Sequence, residues 1–154
     1  MSAGRVFKGR VVLPGPLTCS VLVSRQPVNA LATYIGAGRG GPGKAVCADQ
    51  NNADLYGKRI DDRILCLPRT IGSTATGIVF MLNAHYDLLP RGLLFAEPID
   101  SLAAAAVLLA DIWMGRRVVA VDGLGAEFLA YAQDDMLATI REDGTVALQG
   151  AGGG

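Results

Sequence analysis

The 154-residue sequence has one histidine, His85, and three cysteines, Cys19, Cys47 and Cys66. A lone histidine cannot build a histidine-based zinc site. Three widely spaced cysteines without a C-x-x-C read as free thiols of a reducing compartment, each in or beside an expected strand. Lys plus Arg and Asp plus Glu number 14 each, so the formal net charge is zero. No basic excess is left to bind nucleic acid or an anionic membrane. The longest apolar run, LAAAAVLLA from Leu102 to Ala110, is far short of the ~20 residues of a membrane span. The start, MSAGRVFKGRVV, has basic residues but no apolar signal region, and a cytoplasmic location is expected. Charged residues make up only 18% against 51% hydrophobic, which points to apolar surface covered by a partner chain.

What the sequence has in plenty is glycine, and GAGRGGPGKA at Gly36–Ala45 fits two phosphate-binding patterns. Gly36, Gly38 and Gly41 give G-x-G-x-x-G, and Gly38 to Lys44 gives seven of the eight positions of a P-loop. The eighth position is Ala45, which has no oxygen for Mg²⁺. The following VCADQNNADLYGK favours turns over the helix that a phosphate site requires. No hydrophobic strand leads into the first glycine either. The segment is expected to be a surface loop, Gly36–Lys44, and not a nucleotide site.

Residues 1–8 are expected as a tail, 9–149 as one domain and 150–154 as a disordered glycine-rich tail. GRVVLPG and LTCSVLVSR read as two β segments around a Pro-Gly-Pro turn, with alternation clear at Cys19, Val21 and Val23. Gln26 to about Asp62 is a long, turn-rich excursion. ILCLP, GLLFAEP and RRVVAVDG are short apolar strands suited to burial on both faces. Between them, Ser73 to about Leu88 and Asp100 to Gly115 carry helical signals, the first with Ile78, Val79, Met81, Leu82 and Tyr86 mostly at helical spacing. The order from Ile64 is β-α-β-α-β, hence parallel strands with right-handed crossovers. A hairpin around Asp143-Gly144 closes the chain. The fold class is α/β, central parallel strands with flanking β segments.

In such a sheet, sites form beyond the carboxyl ends of the strands. The richest junction is LPRTIGSTATG, where Gly72 permits close backbone approach and Ser73, Thr74 and Thr76 put hydroxyls near a helix N-terminus. Ser73 or Thr74 serves equally well as a plain N-cap, and residue types alone leave the choice open. Asp122 and Glu127 could line the same edge, and Arg116-Arg117 reads as a solvated strand entrance. No H-E-x-x-H or G-x-S-x-G is present.

GRVVLPG with VLVSRQPVN, DLYGKRIDDRILCLP, TIGSTATG and GLLFAEPIDSLAAAAVLLADI with VVAVDG together resemble the small, swivelling-domain subunit of aconitase X, from about Gly9 to Leu148. The resemblance implies a swivelling β/β/α domain like the mobile fourth domain of aconitase. It also implies a hydro-lyase active only with a large subunit, and an iron–sulfur cluster held by that subunit and not by Cys47 or Cys66. Family activities are dehydration of cis-3-hydroxy-L-proline in bacteria and of mevalonate 5-phosphate in archaea. The family's Gly-Ser motif falls on Gly72 and Ser73, which implies Ser73 as the catalytic base. Archaeal members tend to carry Arg-Gly-Ser-Ser where this chain has Ile71-Gly72-Ser73-Thr74. The missing arginine favours hydroxyproline over a phosphorylated substrate, although Arg69 could substitute. Ile71, Gly72, Thr74 and Arg69 are expected at the substrate. Ser24, Asn29 and Tyr34 are expected to line the cleft, although SRQPVNALATYIGAG departs here from the family's usual LSFWGG.

Overall fold

The three apolar tetrapeptides of the sequence become the centre of the molecule. In the computed structural model, which describes residues 4–36 and 44–152, β5 (Ile64–Leu67), β7 (Gly92–Phe95) and β8 (Val119–Asp122) lie side by side and parallel. Every residue of the three is buried, because both sheet faces are covered. Period-two alternation divides them between two cores. Leu65, Leu67, Leu93, Phe95 and Ala120 enter one, while Ile64, Cys66, Leu94, Val119 and Val121 enter the other.

The first core is covered by α1 (Ala30–Tyr34), α2 (Thr76–His85) and α3 (Ser101–Met114). Helix α3 starts where Asp100 Oδ1 accepts the amides of Leu102 and Ala103, both at 2.9 Å. It stops at Gly115, whose φ of +64° places it in the left-handed region. Its inner side is Ala103, Ala106, Val107 and Ala110, small residues that let the helix lie close to the sheet. The second core is closed by α4 (Ala126–Tyr131), whose Phe128 meets Phe7 edge-on at 5.4 Å.

The sheet has eight strands in the order β1 (Arg5–Lys8), β10 (Thr145–Gln149), β9 (Leu137–Ile140), β3 (Leu17–Val23), β5, β7, β8, β2 (Arg10–Leu13). Strand β3 (Leu17–Val23) serves both halves: Leu17–Ser20 pair antiparallel with β9 (Leu137–Ile140), and Val21–Val23 pair parallel with β5. The hairpin of β9 and β10 (Thr145–Gln149) forms as expected. Residues 5–8, expected as tail, instead form β1 (Arg5–Lys8) against β10. Only Gly9 separates β1 from β2 (Arg10–Leu13), yet these two strands stand at opposite ends of the sheet order. The sheet is therefore curled into a near-barrel with Gly9 at its seam.

The excursion after Gln26 is more ordered than its turn-rich composition implies. Val28–Asn29 (β4) pair in parallel with Thr70–Ile71 (β6), α1 follows, and Val46 bridges Arg59. Buried Asp61 takes both the Arg59 guanidinium and the Ala45 amide at 2.9 Å. Residues 37–43 of the expected glycine loop lie outside the described residues, as do residues 1–3 and 153–154 of the expected tails. No helix among the described residues is long and apolar enough to cross a membrane.

Asp122 plays the matching part at the end of β8, with Arg10 bidentate at 2.9 and 2.6 Å and the Ile99 amide at 2.7 Å. Burial opposes ionisation of Asp61 and Asp122, but each arginine fork and amide outweigh it and hold both carboxyls below the ordinary value of 3.8. A carboxyl with a depressed folded-state pKa contributes stability that is complete above its unfolded value. That stability is lost as pH falls through the folded value. Melting temperature should thus decline below about pH 4. Asp61→Asn and Asp122→Asn should each flatten that decline in melts from about pH 5 to about pH 2. Curves parallel to wild type would remove these carboxyls from the acid response.

Candidate active site

The carboxyl ends of β3, β5, β7 and β8 share one edge of the sheet, and backbone hydrogen bonds continue past the strands to bind their loops together. Ser24 N donates to Cys66 O at 2.9 Å, Glu97 N to Pro68 O at 3.0 Å, and Gly123 N to Glu97 O at 3.2 Å. A segment held in this way supplies the rigid platform that an active site needs.

On that platform, β6 carries the chain into the Gly72-Ser73 turn. Val28 N donates to Arg69 O at 3.0 Å, and the β4–β6 register sets Asn29 opposite Ile71. Gly72 has φ +141°, and a Cβ placed there would stand 3.2 Å from Asn29 Oδ1. The dihedral favours glycine, and any Cβ would also press on the Asn29 side chain. Asn29 is itself fixed, since its Oδ1 caps α1 by accepting from Ala32 N at 3.1 Å.

Ser73 is half-buried, and Thr74 beside it is exposed. Neither is the N-cap of α2: that position is Ala75, which has no side-chain cap bond. The Ser73 hydroxyl oxygen instead accepts the Ala75 amide at 3.0 Å. Its carbonyl accepts from Thr76 N at 3.1 Å and from the buried Thr76 hydroxyl at 2.7 Å. The serine is thus gripped through its backbone, with an N–H aimed at Oγ and the positive end of α2 directly behind it. These are the features that stabilise a developing negative charge on an oxygen.

Just before Ser73 in the chain stand exposed Ile71, Thr70 and the expected Arg69, whose partners Glu97 and Asp100 the sequence did not single out. Arg69 Nη1 lies 3.3 Å from Glu97 Oε2, both about half exposed, and the Thr70 hydroxyl bonds Asp100 Oδ2. The only advance sign was that Glu97 and Asp100 follow β7 at the same sheet edge. Asn29 meets Gly72 and pairs with Ile71, and Arg69, Ser73 and Thr74 flank that contact along the chain. Ser24 and Tyr34 do not reach the surface. Ser24 is 1% exposed, donating to Gln26 O at 2.7 Å and accepting from Asn52 Nδ2 at 3.0 Å, so it shapes the turn behind the site. Tyr34 is buried and packs edge-on against Phe80 at 5.5 Å. Asp122 is spent on Arg10 and Ile99, and Glu127 pairs with Arg5 at 2.9 Å.

The sequence of residues 6–148 matches the family described as the aconitase X swivel domain. The chain belongs to that family. Among the relatives of this swivel domain is the phosphomevalonate dehydratase small subunit of Thermococcus sibiricus. It is 31% identical over 109 residues, covering 70% of this chain and 77% of that protein. The phosphomevalonate dehydratase small subunit of Pyrococcus furiosus is 27% identical over 140 residues, covering 84% and 98% respectively. The fold matches the crystal structure of holo-form aconitase X from Thermococcus kodakaraensis with a TM-score of 0.77 at 23% identity, over 94% of this chain and 98% of that one. A solution NMR structure of a UPF0107 protein matches with a TM-score of 0.72 at 16% identity, over 94% and 99%. The α/β swivelling architecture is thus shown from both sequence and fold.

Among the described residues, no three His, Cys, Asp or Glu side chains come together to hold a metal. Cys47 and Cys66 are buried apart from any such group, and burial raises both thiols above their ordinary range. The described part of the swivel domain therefore does not fit an iron–sulfur cluster.

Proposed function

We propose that this chain is the small subunit of an aconitase X-type dehydratase and that Ser73 is its catalytic base. The observation that carries the reading is the Ser73 hydroxyl, half-exposed, receiving an amide and standing at the start of α2 on the sheet's carboxyl edge. In the forward reaction, the serine oxygen takes the proton α to the substrate carboxylate as that C–H bond breaks. The carbon–carbon double bond forms as the β C–O bond breaks, and the hydroxyl leaves as hydroxide, which takes the proton back from Ser73 to become water. An alkoxide is costly, so the Ala75 amide and the α2 terminus must supply the stabilisation that water otherwise provides. The cluster that the resemblance implies is assigned here to the large subunit, which also completes the pocket.

The preferred substrate is cis-3-hydroxy-L-proline, which pairs a carboxylate with a cationic ring nitrogen. Support comes from Ile71, which offers no charge to a phosphate, and from two carboxylates, Glu97 and Asp100, set against one guanidinium, Arg69, in the polar pairs beside the motif. A phosphate dianion would meet net negative charge there. The names of the relatives favour the second reading, mevalonate 5-phosphate. The purified two-subunit complex, offered each compound in turn, separates the readings. Turnover of the hydroxyproline alone is expected. Turnover of the phosphorylated compound alone would reverse the assignment, and turnover of neither would set both aside. Ile71→Arg should weaken hydroxyproline turnover about tenfold by placing a second cation where the ring nitrogen would approach.

A further inference from the structure

The two helices that follow the candidate site present a second surface. Helix α2 contains no Asp, Glu, Lys or Arg, and α3 contains only Asp111, which is held by Arg117 at 2.6 and 2.9 Å. A close approach at Gly77, where a Cβ would lie 3.0 Å from Leu109, makes the pair one layer. The layer turns Val79, Phe80, Ala106 and Ala110 toward the core. Outward it shows Ile78 (73% exposed), Leu82 (56%), Tyr86 (60%), Leu108 (41%), Ile112 (71%) and Trp113 (73%).

These six side chains expose on the order of 600 Å² of apolar surface, at the top of the range for the largest patch on a soluble monomer and near the ~800 Å² one partner gives to a standard interface. The charges near it stand at its margin, where Arg116 meets Asp87 at 3.2 Å and Arg117 meets Asp111. An apolar centre with a polar rim and a large aromatic anchor is the anatomy of a protein interface. The face begins one turn after Ser73, so a chain seated on it also reaches the site.

We propose that the outward face of α2 and α3 is where the large subunit docks, through an uncharged apolar surface of its own. Charge complementarity decides the chemistry of that counterface: a charged partner group would be desolvated here without a mate. This inference rests on the small-subunit reading above. It goes beyond it by locating the fixed attachment on the helical layer, while the Ser73 edge contributes chemistry.

The test is co-expression with the aconitase X large subunit of the same organism, with sedimentation velocity as the readout. Ile112→Glu combined with Trp113→Glu should weaken the complex about 100-fold or more, since each is placed as a hot spot. Both side chains are mostly exposed in the isolated chain, so its melting temperature should hold, and Val6→Glu on a different element should bind like wild type. A double variant that binds as tightly as wild type overturns this inference and leaves the small-subunit reading standing. Wild-type chain that never associates with the large subunit overturns both. Self-association of the chain alone, abolished by the double variant, makes a second copy the occupant and also overturns it.

Discussion

Replacing Ser73 by alanine is expected to lower turnover of the assembled complex by about 10³-fold or more, because a general base contributes roughly 10²–10⁴. The same change should leave folding and subunit binding almost untouched. The side chain makes one hydrogen bond, accepting the Ala75 amide, in a turn that is partly open to water. Its loss costs about 1 kcal/mol at most, since the freed amide can turn to solvent. The backbone grip by Thr76 on the Ser73 carbonyl remains. That separation gives the experiment its force: a turn-forming serine predicts a small loss of stability and ordinary activity, whereas a base predicts the reverse. Activity should be followed as kcat together with KM, and the base role requires the loss to fall on kcat. Near wild-type turnover with a lowered melting temperature would return Ser73 to the part of a turn residue.

The residues also show why some features were legible in the sequence and others were not. The β-α-β-α-β run from Ile64 was readable because each strand is buried on both faces and each helix is long, so composition and period agree with the outcome. Helix α3 was bounded correctly by Asp100 and Gly115, whose capping roles are local. Strand β1 was missed because Arg5–Lys8 has no pattern of its own and is ordered by β10, at the other end of the chain. Strands β4 and β6 are two residues each and exist only through their pairing, so the Asn29–Gly72 contact could not be foreseen. Helix α2 shows a different limit: periodicity located it, but two of its stripes are apolar. Tertiary packing chose Val79 and Phe80 for the core and left Ile78 and Leu82 outside. Ser24 shows the converse, since a hydroxyl just past a strand end can equally be spent on an internal partner such as Asn52. At the site itself, the Gly-Ser junction was evident, while the half-exposed state of Ser73 and the Arg69–Glu97 pair required coordinates.

The largest effect on stability is expected at the seam of the near-barrel. A Cβ on Gly9 would fall 2.5 Å from Asp122 O, 2.6 Å from Val121 Cγ1 and 2.9 Å from Leu124 Cδ2. The first of these is backbone and cannot swing aside. Gly9 N also donates to Gly144 O at 3.0 Å, and a Cβ on Gly144 would fall 2.5 Å from Gly9 O. Gly9→Ala should therefore cost about 3 kcal/mol through overpacking alone. In a chain of this length that lowers the melting temperature by roughly 6–12 °C. Gly144→Ala should cost more, because φ is +87° there and an L side chain adds about 1–2 kcal/mol in the left-handed region. Gly57→Ala isolates that last contribution: its φ is +76° but nothing lies within 4 Å of the added Cβ, so it should lose only about 1 kcal/mol. Denaturant unfolding of the three variants should rank them Gly144, Gly9, Gly57 in decreasing loss. If Gly9→Ala instead matched Gly57→Ala, the edge strands β1 and β2 would have room to part, and curling of the sheet could not be what fixes the loop after β8. That loop receives both the seam and, through Asp122, the Ile99 amide of the β7–α3 connection, so closure of the sheet bears on the same edge that positions Ser73.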